Sequence, residues 1–124
     1  MSKRMKIEVE KTNLESEFDA YILAKSGNGI KASSFREIPF KVRDWVVTHN
    51  TIVDDESGEV KEMSCITIRT ENNEVVGTNS KTMIDNFIEY VELMQDNNIE
   101  LSSREFMIVE GQGKNGKFNS ITIL

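Results

Sequence analysis

The sequence predicts a mainly β domain with one long helix set between its third and fourth strands. Residues 40–79 hold three β-rich segments separated by polar turns, and residues 106–124 hold two more around a turn rich in glycine and asparagine. Between these groups, residues 82–96 are apolar at helical spacing. The length, 124 residues, is that of one domain and allows a hydrophobic core that needs neither disulfides nor metals.

The elements follow in order. Met5-Lys6-Ile7-Glu8-Val9-Glu10 alternates and predicts a short edge strand. Residues 14–25 predict a short helix with Leu14, Phe18, Tyr21 and Ile22 on one face. Ser26-Gly27-Asn28-Gly29 ends it, because glycine readily takes the left-handed conformation at a helix terminus. A loop passes through Ser33-Ser34, and Tyr21 and Phe35 read as packing residues. Pro39, the only proline, stands where a strand begins, a tolerated place. Residues 40–53 then form a long strand, 54–59 a polar turn, 60–70 a second strand, 71–74 another turn and 75–79 a short third strand.

The main helix, 82–96, places Ile84, Phe87, Ile88, Val91 and Met94 on one stripe. Thr82 with Asp85 resembles a capping box, and Asn97-Asn98 stops the helix. Two closing strands, 106–110 and 118–124, flank Gly111-Gln112-Gly113-Lys114-Asn115-Gly116-Lys117. Asn115-Gly116 predicts a type I′ turn, whose two central residues both need positive φ. Three strands, a helix and two strands are the order of the OB-fold, a five-stranded Greek-key barrel. The expected domain is single, with residues 1–37 an N-terminal extension and 38–124 the barrel. Such barrels bind ligands across strands two and three and with two loops, here 54–59 and 111–117.

Composition narrows the function. A net charge of −6 excludes a protein that holds nucleic acid by bulk charge alone. The charge is uneven: residues 1–11 and 31–49 each carry four bases and two acids, while 71–100 carry one base and seven acids. Acid is thus concentrated in the main helix region and in loop 54–59, which reads either as solvated faces that keep the protein soluble or as acid kept off one working surface. No apolar run approaches the ~18 residues of a membrane helix. The basic start, Met1-Ser2-Lys3-Arg4-Met5-Lys6, has no apolar stretch behind it, so no secretory signal is expected. Cys65 is the only cysteine, which excludes an intrachain disulfide and fits a reducing cytoplasm.

Catalysis is not expected. His49 and Cys65, the only histidine and cysteine, fall short of a zinc set of about four ligands. Gly111, Gly116 and Lys117 have P-loop spacing, but Phe118 stands where Ser or Thr must hold magnesium and a strand follows where a helix is required. Carboxylates 54–56 lack the spacing of an EF-hand. The chain reads as a non-enzyme without cofactor or metal.

Binding of single-stranded nucleic acid needs cations along the backbone and flat side chains on which bases stack. With Ile66, Ile68, Ile121 and Ile123 in the core, alternation turns Cys65, Thr67, Arg69, Phe118, Ser120 and Thr122 outward. Phe118 beside Lys117 joins an aromatic to a cation; the alternative is a cap on the core. Lys41, Arg43 and Trp45 share parity, so Trp45 reads as a stacking platform between cations unless a bulge turns it into the core. Lys81 starts the main helix, where free N–H groups favour anions; the alternative is a plain surface lysine. The candidate nucleic-acid-binding residues are therefore Lys41, Arg43, Trp45, Arg69, Lys81, Lys114, Lys117 and Phe118.

Several short motifs carry a family resemblance. They are Ser16-Glu17-Phe18-Asp19, Gly27-Asn28-Gly29, Val42-Arg43-Asp44-Trp45-Val46-Val47-Thr48-His49, Glu56-Ser57-Gly58-Glu59, Thr78-Asn79-Ser80-Lys81 and Lys114-Asn115-Gly116-Lys117. Across residues 16–124 the chain resembles the single-stranded DNA-binding proteins of small tailed bacteriophages. The resemblance implies an OB-like protein of the host cytoplasm that coats and protects single-stranded DNA during phage DNA replication. Its implied partners are single-stranded DNA and phage replication proteins. No binding residue is carried over from the family. A strand ends at Leu124 in place of an acidic disordered tail, which argues against recruitment of partners by such a tail. The alternative is an OB-like protein-interaction module of phage origin, contacting a host or viral protein through the acidic helix and loop 54–59.

Overall fold

The computed structural model describes residues 3–26 and 29–124. Met1, Ser2 and the Gly27-Asn28 part of the expected helix stop lie outside the described residues. The strands are β1 (Lys3–Thr12), β2 (Ile30–Lys31), β3 (Val42–Asp54), β4 (Val60–Thr70), β5 (Val75–Thr78), β6 (Phe106–Gly113) and β7 (Gly116–Ile123). Helices α1 (Glu17–Lys25) and α2 (Lys81–Asp96) complete the frame. Five strands form one sheet in the order β1-β3-β4-β5-β2, and β6 and β7 form a separate hairpin. No helix among the described residues is long and apolar enough to cross a membrane.

The fold is mainly β, as expected, but the sheet does not close into a barrel. The expected edge strand 5–10 is longer, and it pairs antiparallel with β3 from Lys3↔Asp54 to Thr12↔Val46. It therefore occupies the β3 edge that β6 needs to complete a barrel. Only the segment just before β3 is left for β6. Phe40 N–H donates to the Phe106 carbonyl at 2.9 Å, and Phe106 N–H to the Phe40 carbonyl at 2.7 Å. Farther along, Glu37 N–H donates to the Ile108 carbonyl at 2.8 Å. Two isolated bridges thus join the hairpin to the rest of the molecule.

Local chemistry explains the turns and caps. Thr70 Oγ1 accepts from the N–H groups of Asn72 and Glu74, and Asn73 takes φ 65, so Glu71–Glu74 reverses the chain into β5. The cap of α2 is Ser80, whose Oγ accepts from Met83 N–H; this corrects the Thr82–Asp85 capping box. At the other end Asn98 takes φ 56, Asn98 N–H donates to the Gln95 carbonyl and Ile99 N–H to the Met94 carbonyl. That is a Schellman stop built on asparagine. The hairpin turn also differs from expectation. Its central residues are Lys114-Asn115, neither with positive φ, and Gly116 follows at φ 110. Because glycine takes the positive φ after the turn, Asn115 is spared it.

The core lies between α2, the β3–β5 face and the hairpin base. Phe87 of α2 sits 5.5 Å, ring to ring, from both Trp45 and Phe106, over Ile66, Ile68 and Ile108. Each such buried side chain contributes about 1.5–3 kcal/mol. On the opposite face α1 buries Ala20 and Leu23 against Val46. The face expected to pack, with Phe18, Tyr21 and Ile22, is instead exposed. Ser16 caps the helix by accepting from Asp19 N–H, so it starts at Glu17, and small Ala20 allows the close approach to Val46.

Candidate functional site

Alternation along β6 and β7 sorts the hairpin into two faces. Phe106, Ile108 and Ile121 enter the core. Phe118, Ser120 and Thr122 lie on the other face, half-buried, as the pleat predicts. Phe118 is paired across the hairpin with Gly111. A Cβ on Gly111 would lie 2.3 Å from Phe118 Cε2, and one on Gly113 3.4 Å from Cε1. The ring is therefore laid flat on a glycine backbone track. Such a seat holds the ring still with one side against the chain.

The cations lie at the turn and on the hairpin's other face: Lys117 opposite Gln112 and Glu110 opposite Asn119 have the parity of Ile108 and Ile121, not of Phe118. Lys114 at the turn is exposed and has no ion pair among the described residues. Lys117 Nζ lies 3.3 Å from Glu110 Oε1. Arg36 brings Nη1 to 2.9 Å from Glu110 Oε2 and donates from Nε to Asn119 Oδ1 at 2.8 Å. Ser80 Oγ donates to the Asn119 carbonyl at 2.9 Å, which brings the start of α2 to the same strand. Lys81 follows it, with Nζ 3.2 Å from Asp85 Oδ2. Lys114, Lys117 and Phe118 thus belong to the hairpin tip, whereas Lys81 lines the groove between the sheet and α2. Arg36 was not singled out from the sequence; its only signal was membership of the basic segment 31–49.

The other four candidates lie elsewhere. Lys41 adjoins Phe40 at the base of the hairpin, about 25 Å from the tip at ~3.3 Å per residue. Lys41 is exposed and its carbonyl accepts from Glu71 N–H at 3.0 Å. Arg43 Nη1 donates to Asn73 Oδ1 at 2.8 Å. Arg69 is clamped by Asp44 through Nε at 2.9 Å and through Nη2. Asp44 is buried and directly opposite Arg69, so the guanidinium is committed to the fold.

Trp45 corrects the stacking-platform expectation. A bulge between Val42 and Asp44 breaks the parity of Lys41, Arg43 and Trp45. Val42 and Trp45 both enter the core, and Trp45 is 5% exposed against Phe87. Its Nε1 has no hydrogen-bond partner among the described residues.

The face across β4 and β5 also differs from a bare barrel surface. Thr67 has the expected orientation, opposite Val46, but α1 packs on this side and leaves Thr67 6% exposed. A cavity of about 320 Å³ remains there, lined by Lys25, Thr48, Asn50, Cys65 and Thr78 among others. Burial pushes the Cys65 thiol pKa up, which keeps it protonated and poorly nucleophilic. His49 pairs with Ser64 and Cys65 with Thr48, so the two side chains fall on opposite faces of the sheet.

No family model, curated protein or solved structure matches the chain.

Proposed function

We propose that this protein binds single-stranded DNA without sequence preference, using the tip of the β6–β7 hairpin, with the DNA strand wrapping from Phe118 on one face to the cations of the other. The observation that carries the reading is Phe118 seated on Gly111 on one face of a hairpin whose turn bears Lys114 and whose other face bears Lys117 and Arg36 at Glu110. A fixed aromatic face offers every base the same stacking surface, worth about 1–3 kcal/mol per base. The cations track the phosphates. The order of β3, β4, β5, α2, β6 and β7, with the Phe40–Phe106 bridge, supports an OB-like barrel held open by β1. On this reading the protein coats and protects single-stranded DNA during phage DNA replication in the host cytoplasm, without catalysis. The test is a titration of labelled poly(dT) and labelled duplex at two salt concentrations. Poly(dT) should bind more tightly at both, and equal affinity for the two forms overturns the proposal.

A groove favours a second reading, an interaction module for a host or viral protein. It measures about 570 Å³ and runs between the sheet and α2 over Val47, Met63, Ile84 and Ile88. Glu10, Asp85, Glu89 and Glu92 edge it with Lys11 and Lys81, which pair with Glu92 and Asp85, so its charge is net negative and suits a basic partner. On this reading poly(dT) gives no response in the same titration.

A further inference from the structure

β1 is the terminal strand of the five-stranded sheet. Alternate N–H and C=O groups of Lys3–Thr12 therefore face away from β3 with no strand beside them among the described residues. Such an edge is a ready template for another strand. Its side chains say which one. Arg4, Lys6, Glu8 and Glu10 share one parity, and Met5, Ile7 and Val9 the other. Within one copy Lys6 Nζ lies 3.2 Å from Glu8 Oε1 and Arg4 Nη2 2.9 Å from Asp55 Oδ1. Laid antiparallel on itself about Ile7, the strand exchanges the first pair for Lys6 opposite the other copy's Glu8 and sets Arg4 opposite Glu10. On the other face Met5 meets Val9, and Ile7 meets Ile7. Centring on Lys6 or on Glu8 instead puts like charges together. The regular stretch ends after Val9, where the pairing with β3 shifts, so the three central pairs fall within unbroken strand.

The apolar side of that edge is also uncovered. Phe18 is 71% exposed, Met5 57% and Ile22 47%. Phe18 and Tyr21 of α1 line a groove of about 630 Å³ with Ile7 and Val9 of β1. Large apolar groups grouped at a sheet edge mark an association surface. Strand pairing alone would make a small interface, and these side chains extend it.

We propose that β1 pairs with β1 of a second copy, antiparallel and centred on Ile7, so that one sheet runs through both copies. The contact is isologous: each Lys6 meets the other copy's Glu8, and Phe18 and Tyr21 of each α1 close over the other copy's β1. The proposal is independent of the nucleic-acid reading.

Sedimentation equilibrium of the full chain tests it. The expected species has twice the 14.1 kDa protomer mass. Lys6→Glu puts two glutamates opposite each other and should weaken the dimer at least tenfold. Lys6→Glu with Glu8→Lys restores the pairing and should restore the dimer. In a Cys65→Ser background, Ile7→Cys should form a disulfide-linked dimer on mild oxidation, whereas Lys6→Cys should not. A monomer at every concentration overturns the proposal. So does a dimer that ignores Lys6→Glu, a charge swap that fails to rescue, or Ile7→Cys that does not cross-link. Lys6 is exposed, so circular dichroism should show each charge variant folded.

Discussion

Phe118 and Gly111 face each other across the β6–β7 hairpin, and the ring fills the space that a side chain on Gly111 would need. A Cβ there would lie 2.3 Å from Cε2 and 2.4 Å from Cζ, inside any tolerable contact. The glycine is therefore the seat of the aromatic ring.

Gly111→Ala should unseat the ring without touching the core. Phe118→Ala should remove it. Both variants should lose about 1–3 kcal/mol of poly(dT) binding, the worth of one stacked base. Thermal midpoints should stay within a few degrees, because the hairpin tip is outside the core. Undiminished affinity in both would remove Phe118 from the site.

This pair shows what the sequence could and could not disclose. Alternation in 118–124 was enough to turn Phe118 outward, because Ile121 and Ile123 fix the parity of that strand. The same rule failed at Trp45, where a one-residue bulge at the start of β3 reverses parity. A bulge leaves no local mark in Lys41-Val42-Arg43-Asp44-Trp45. The open sheet was equally hidden. Residues 5–10 read correctly as a strand, but nothing local says which neighbour a strand pairs with. Its pairing along β3 decides that β6 cannot close the barrel. The division of the cations has the same cause. Arg69 reads as a surface base until register sets it opposite Asp44, and Arg36 meets Glu110 only through long-range folding.

Trp45→Ala should act on stability. Truncating a buried aromatic costs about 3–5 kcal/mol, so the thermal midpoint should fall steeply. Oligonucleotide addition should leave the tryptophan emission of the intact protein without stacking quench, since the ring is against Phe87. A midpoint that barely moves, with strong quenching on titration, would return Trp45 to the binding face.

Asp44→Ala should destabilise through its partner. It leaves the Arg69 guanidinium without the two hydrogen bonds that hold it. Loss of charged hydrogen bonds of this kind costs about 1–3 kcal/mol, and the one-third exposure of Arg69 keeps the figure toward the lower end. Chemical denaturation reads it. Poly(dT) affinity measured well below the midpoint should be unchanged, because this pair lies at the other end of β4 from the turn at 54–59 and apart from the hairpin tip. A gain in affinity, from a guanidinium freed to meet phosphate, would place Arg69 in the site.

Glu110 gives the prediction with the opposite sign. It holds Lys117 at 3.3 Å and Arg36 at 2.9 Å, so in the free protein it competes with phosphate for both cations. Glu110→Gln should raise poly(dT) affinity and steepen its salt dependence. Lys114→Ala with Lys117→Ala should do the reverse and weaken all sequences alike. For single strands each lost phosphate contact removes about 0.7 from the slope of log affinity against log salt, so the double variant should flatten it by about 1.4. The two measurements constrain each other. If Glu110→Gln weakens binding, Glu110 acts by holding Arg36 and the hairpin in place, and the cations at the tip contribute through that arrangement. If neither variant changes affinity or slope, phosphate does not approach the hairpin, and the acidic groove beside α2 becomes the working surface.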